Sequence, residues 1–207
     1  MIARLSGDIS SFLVARRIVP GEDREVYAYS FEILLSTLQS FIALALLSIV
    51  IGAVVETMLF LAGFVPLRMI AGGYHARTHF RCFLILMFVY AAFVLALLFL
   101  PASLMLSTIM ASYLFSAVLV FIIAPSEDSN KPITREETKR FKLKSRIAVA
   151  CYALPVGVLA VFVDDRKIAL SLALGVLTVG LSLFANTIKG RKLTGMNKAV
   201  RGEEVEQ

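Results

Sequence analysis

Charge is what this sequence has least of. Only 17% of its 207 residues are Asp, Glu, Lys or Arg, and 58% are hydrophobic. A soluble domain carries roughly 25% and 45–50%. The apolar residues gather into runs of about 20, the length a helix needs to cross about 30 Å of hydrocarbon. Cysteine is scarce too: Cys82 and Cys151 are too few for a disulfide framework, and both fall near the cytoplasmic, reducing side in the topology below. An unbroken apolar stretch near the start is also missing. Arg4, Asp8, Arg16 and Arg17 interrupt it, so no cleavable signal peptide is expected. No nucleic-acid module is present, and no nucleic-acid partner is expected. The formal charge of +6 fits instead the Lys and Arg that membrane proteins gather on their cytoplasmic side. The fold class read from this is all-α: a polytopic integral membrane protein, one membrane domain over 1–207, with about six transmembrane helices.

Along the chain, residues 1–29 read as an interfacial segment. Ile2, Leu5, Ile9, Phe12 and Leu13 share one helical face, opposite Arg4, Asp8 and Ser11, as in a helix lying in the membrane surface. Pro20-Gly21 breaks it. A transmembrane bundle over 31–188 follows, with spans expected at 31–51, 54–70, 83–100, 104–124, 147–163 and 168–188. The second is the weakest, because Gly63 and Pro66 disfavour helix and leave a re-entrant segment open. Its Glu56 belongs at a boundary, since an acid at a span's centre costs about 2.5–3.5 kcal/mol. Between the fourth and fifth spans, Thr134 and Glu137 form a capping-box pair that opens a helix. The tail over 189–207 is polar and is expected to be loosely ordered.

Six crossings place 19 of the 21 Lys and Arg residues on one side and 2 on the other. By the positive-inside rule that side is the cytoplasm, with both termini in it.

The chemistry-bearing residues cluster before the third span. The stretch Arg68 to Cys82 holds both histidines, His75 and His79, with Arg68, Arg77 and Arg81. Positive charge stabilises a thiolate, and a neighbouring imidazole can carry its proton. Seven residues of regular helix would set His75 and Cys82 about 10 Å apart, so pairing them needs a bent chain, which Gly72-Gly73 permits. His79, three residues before Cys82, is the easier partner within a helix. On these grounds either histidine could serve as the base. Duller roles exist: a small apolar filler for the cysteine, an interfacial anchor for a histidine and topogenic arginines. A metal would need His75, His79 and Cys82 to converge from one helix, which their spacing disfavours. Cys151, in an apolar stretch, reads as inert.

The pattern Arg68-x-x-x-Gly72-Gly73-x-His75, continuing through six residues to Cys82, resembles the signature of the accessory gene regulator protein B (AgrB) family. Those are bacterial membrane cysteine endopeptidases that process autoinducing-peptide precursors for quorum sensing. The likeness extends to length, to the spacing of spans, and to Ala124-Pro125 followed by Asn130-Lys131-Pro132. It implies Cys82 as nucleophile and His75 as its catalytic partner, with Arg68, Gly72 and Gly73 in support. No acidic third member is evident beside that pair, and no cofactor is implied. Cleavage would join the precursor to Cys82 as an acyl-thioester, which a thiol or hydroxyl of the peptide displaces to close a thiolactone or lactone. Arg68, Arg77 and Arg81 are the candidates for steadying the oxyanion.

The resemblance also implies a partner: a short precursor with an amphipathic N-terminal part and an acidic C-terminal tail. Lys139, Arg140 and Lys142, with Lys144 and Arg146, could hold that tail, or could serve only topology and anionic membrane lipids. Ser171-x-x-x-Gly175 is a small-residue pair of the kind that packs helices and offers a homodimer contact. A small transporter or channel subunit is the rival function. The near-absence of charge inside spans three to six argues against it.

Overall fold

A computed structural model describes residues 2–74, 78–126 and 135–205, with backbone alone for 135 and 190–205. The described residues form helices and no strand. These are α1 (Ile2–Ala15), α2 (Arg24–Ile51), α3 (Val54–Ala71), α4 (His79–Phe99), α5 (Ala102–Ile123), α6 (Arg135–Cys151), α7 (Ala153–Phe162) and α8 (Arg166–Val205). Among the described residues, six helical stretches are long and apolar enough to cross a membrane: Gly21–Ile51, Val54–Ala71, His79–Phe99, Ala102–Ile123, Glu136–Phe162 and Arg166–Lys189. The protein is a multi-pass membrane protein, as its apolar runs require. The helices group into two compact units. One holds α1, α2 and α4 as far as Tyr90; the other holds α3, the rest of α4 and α5–α8.

In the first unit, α1 lies against α2 through its small polar residues. Ser6 and Ser10, one turn apart, are buried. Ser10 Oγ donates to the Arg24 carbonyl at 2.6 Å, and Arg24 Nε donates to Ser11 Oγ at 3.1 Å. Docking through serines leaves Leu5 and Phe12 exposed, the arrangement an interfacial helix needs to place apolar side chains among lipid.

The second unit is built around α8. Of its most apolar 18-residue window, 56% is buried, against 28% or less in the other five spans. Its sequence explains this. Apolar surface gains nothing by leaving lipid for another helix, so membrane helices associate through small residues that let backbones approach. A Cβ on Gly63 of α3 would sit 2.6 Å from the Leu172 carbonyl oxygen, and one on Gly175 would overlap the Phe60 carbonyl. Gly180 faces Ser116 of α5, whose Oγ donates to the Val176 carbonyl at 2.6 Å. Ser171, fully buried, and Gly175 are therefore occupied within the chain, and the pair is not available as a homodimer contact.

The second span is the helix expected over 54–70, whereas the fifth span and the tail differ from expectation for local reasons. The helix α3 runs through Gly63 and Pro66 without a break for 18 residues, about 27 Å. Pro66 has no N–H for the Ala62 carbonyl one turn earlier, and Tyr152 Oη donates to that carbonyl instead, at 2.6 Å. The fifth span begins earlier than residue 147, because α6 carries the basic segment into it, and it breaks at Tyr152. Pro155 causes the break, since its ring clashes with the carbonyl of Cys151. Nearby, Tyr113 Oη donates to the Val149 carbonyl at 2.9 Å. The tail, expected to be loosely ordered, continues α8 to Val205. No proline follows Pro155, and Lys, Arg, Leu and Ala in the tail favour helix. Thr134 of the expected capping box lies outside the described residues.

Candidate active site

The motif divides between the two units, and each half is described in its own unit. His75, the expected base, lies outside the described residues, as does Arg77.

The first half follows α3. Gly72 and Gly73 have φ of +78° and +149°, conformations a side chain rarely tolerates. Both are also enclosed. A Cβ on Gly72 would come within 2.6 Å of the Ser126 carbonyl oxygen; one on Gly73 would stand 2.5 Å from Ser182 Oγ and 2.9 Å from Arg68 Nη1. Ser126 N–H donates to the Ala71 carbonyl at 3.1 Å, and Asn186 Nδ2 donates to Ser126 Oγ. The chain leaving α3 is thus pinned to the segment that follows the cis Ala124–Pro125 bond.

Arg68 closes this turn. Its Nη1 donates to Ser182 Oγ and its Nη2 to the Tyr74 carbonyl, each at 2.6 Å. Its guanidinium also lies 5.5 Å from the centre of the Phe64 ring. Ser182 Oγ accepts a second hydrogen bond from Tyr74 N–H at 2.9 Å, and Lys189 Nζ sits 4.9 Å over the Tyr74 ring. Arg68 therefore holds residue 74, the neighbour of His75, directly through Nη2 and by way of Ser182 through Nη1.

The second half opens α4. Thr78 Oγ1 accepts from the Arg81 N–H at 3.3 Å, and the Cys82 N–H makes its helical bond to the Thr78 carbonyl at 3.1 Å. Thr78 is thus the N-cap, and Cys82 lies in the first turn of α4, where the helix dipole favours negative charge. Cys82 is exposed and is not a buried packing residue; Cys151 is exposed as well. His79, the alternative base, faces a group that the sequence reading did not pair with it. Its Nε2 stands 3.4 Å from Glu32 Oε1 of α2, with 33% and 29% of the two side chains exposed.

On α6, Lys139, Arg140 and Lys142 are exposed. Arg146 is committed to packing: its Nη2 donates to the Phe121 carbonyl at 2.9 Å and its guanidinium lies 5.5 Å from the Phe121 ring centre. The basic helix is therefore exposed at its start and anchored to α5 at its fourth turn.

Sequence reading found Arg68, Gly72, Gly73 and Cys82 but missed Ser126, Ser182, Asn186, Lys189 and Glu32. The available signals were Ser182 and Asn186 as polar residues inside an apolar span, and Glu32 as an acid at a span's edge.

Comparison with known proteins bears on the whole of this region. The family model described as Accessory gene regulator B matches residues 6–184. A curated protein of Clostridium perfringens (strain 13 / Type A), named "Putative AgrB-like protein 2", is 26% identical over 166 residues, covering 78% of each chain. No solved structure is significantly similar to the chain.

Proposed function

From the premise that this chain belongs to the accessory gene regulator B family, a family of quorum-sensing peptide processing, we propose that it is a membrane cysteine endopeptidase. The observation that carries this reading is an exposed Cys82 in the capped first turn of α4, at the family's nucleophile position. Its substrate is a short autoinducing-peptide precursor. The enzyme sits in the bacterial cell membrane with both termini and the active site at the cytoplasmic face.

In the first step His75 takes the Cys82 proton and Sγ attacks the carbonyl carbon of one peptide bond. The C–N bond then breaks. The C-terminal fragment leaves as an amine, taking its proton from the imidazolium, and the N-terminal part stays on Cys82 as an acyl-thioester. A thiol or hydroxyl within the bound peptide next attacks the thioester, which closes the ring and releases the Cys82 thiol. Exchange of one thioester for another is nearly balanced, so water must be kept from the intermediate while the ring closes. Lys139, Arg140 and Lys142 attract the acidic tail of the precursor.

The test is mass spectrometry of the protein in lipid with its cognate precursor. We expect a shortened peptide and an acyl adduct on Cys82, both lost in Cys82→Ala and His75→Ala and both kept in His79→Ala. Cleavage that survives Cys82→Ala would rule the reading out.

A further inference from the structure

Tyr74 is held at three different points, at two of them by residues distant in sequence. Its N–H donates to Ser182 Oγ at 2.9 Å, its carbonyl accepts from Arg68 Nη2 at 2.6 Å, and its ring lies 4.9 Å beneath Lys189 Nζ. Ser182 Oγ also accepts from Arg68 Nη1 at 2.6 Å, so both lone pairs of the hydroxyl are used. Each donor is on the α3 side of the turn and the acceptor is on α8. The network is larger than the turn needs for backbone satisfaction alone, since one acceptor for the Tyr74 N–H would suffice. It fixes the peptide plane of residue 74, together with the position of its side chain. Gly73 has no side chain, and this is what lets Ser182 Oγ and Arg68 Nη1 come so close. The next residue is His75.

We propose that Ser182 and Lys189 of α8, acting with Arg68, are positioning residues for the base: they fix Tyr74, the residue to which His75 is joined. The inference rests on the cysteine endopeptidase reading and adds to it a role for α8, whose Ser182 lies 108 residues beyond Tyr74. Arg68 bonds the chain before the base through Nη2 and Ser182 through Nη1, and its planar fork suits this because it serves two acceptors at once. Ser182 is the shared acceptor. Replacing it by alanine leaves an arginine and a backbone N–H without the partner each now has, and the turn relaxes. Catalysis is sensitive to such a change, because misplacing a reacting group by about 1 Å can lower a rate by about 10²-fold.

The experiment needs no precursor. The full chain in lipid vesicles, carrying Cys151→Ser so that one thiol remains, is treated with iodoacetamide, and alkylation of Cys82 is followed by mass spectrometry from pH 5 to pH 10. His75→Ala serves as the reference for a thiol that has lost its base. We expect the alkylation rate at pH 7 to fall about tenfold in His75→Ala, and the curve of rate against pH to move to higher pH. Ser182→Ala should follow His75→Ala, and Ser182→Thr, which keeps the hydroxyl, should return most of the way to the parent curve. A purely structural role for Ser182 would alter membrane yield or thermal stability without moving the curve. If His75→Ala moves the curve and Ser182→Ala does not, the positioning inference is overturned and the endopeptidase reading stands. If His75→Ala itself leaves the curve unmoved, the pairing of His75 with Cys82 fails, and the inference falls with it. Should Ser182→Ala fail to accumulate in the membrane, Lys189→Met decides, since it removes the cation over the ring and keeps a side chain of similar length. An intermediate shift supports the proposal, and a parent-like curve overturns it.

Discussion

The two halves of the Arg68–Cys82 segment are built in opposite ways. The half before His75 is tightly held: two glycines at positive φ pressed against Ser126, Ser182 and Arg68, and a tyrosine bonded at backbone and ring. The half that carries the thiol is lightly held. It has a capping hydrogen bond from the Arg81 N–H to Thr78 Oγ1 at 3.3 Å and a partly exposed His79–Glu32 pair at 3.4 Å, and Cys82 itself is exposed. The contrast matches the division of labour in the proposed reaction. A base works only from a fixed point, whereas a nucleophile that must carry a peptide needs room around its sulfur.

Four changes test that contrast, beginning with the largest effect. Cys82→Ala removes the nucleophile and should lower cleavage of the cognate precursor by at least about 10³-fold, with helical content by circular dichroism unchanged. Gly73→Ala attacks the rigid half at its tightest point, and we expect about a 10²-fold loss in kcat with normal insertion. Gly157→Ala, where a Cβ would meet nothing within 4 Å, is the control and should keep parent activity. Equal behaviour of the two glycine variants would abolish the distinction between a rigid and a loose half.

Reversing Lys139, Arg140 and Lys142 to glutamate together addresses the substrate and not the chemistry. KM for the precursor should rise roughly tenfold at low salt, equivalent to about 1.4 kcal/mol, and the difference should shrink as salt screens it. An unchanged KM would leave those residues to topology and lipid. The smallest effect is expected from Glu32→Gln. A partly exposed pair contributes about 0–1 kcal/mol, so cleavage should stay within about fivefold of the parent. A much larger loss would make His79, with Glu32 behind it, the working base, and would reverse the assignment of roles.

Much of the fold was legible because membrane crossing is decided by local composition. Each apolar run had to become a helix, since lipid offers no partner for backbone N–H and C=O groups. Departures came where a proline acted beyond its own turn. Pro66 reads as a weak point until Tyr152 is seen supplying the Ala62 carbonyl with a donor, and only the helix break at Tyr152 shows the effect of Pro155. Within the candidate site, Arg68 and the two glycines were visible as a spacing, but their task was not. A guanidinium beside a nucleophile suggests oxyanion binding, whereas the folded chain turns this one toward Tyr74 and Ser182.

The sequence by itself determined the class of protein, the number of crossings, the amphipathic first helix and the candidacy of Cys82. Those follow from hydrophobicity, helical period and local motif, which act over one or two turns. Tertiary structure alone decided that α8 is the central helix of its unit, that Ser171 and Gly175 are used inside the chain, that Glu32 faces His79, and that Ser182 and Lys189 hold the residue before His75. The physical reason is distance along the chain. Tyr74 and Ser182 are separated by 108 residues, and no local preference links them. Their meeting depends on glycines in α3 and α8 that let two backbones approach closely enough for one hydroxyl to accept from both an arginine and a peptide N–H.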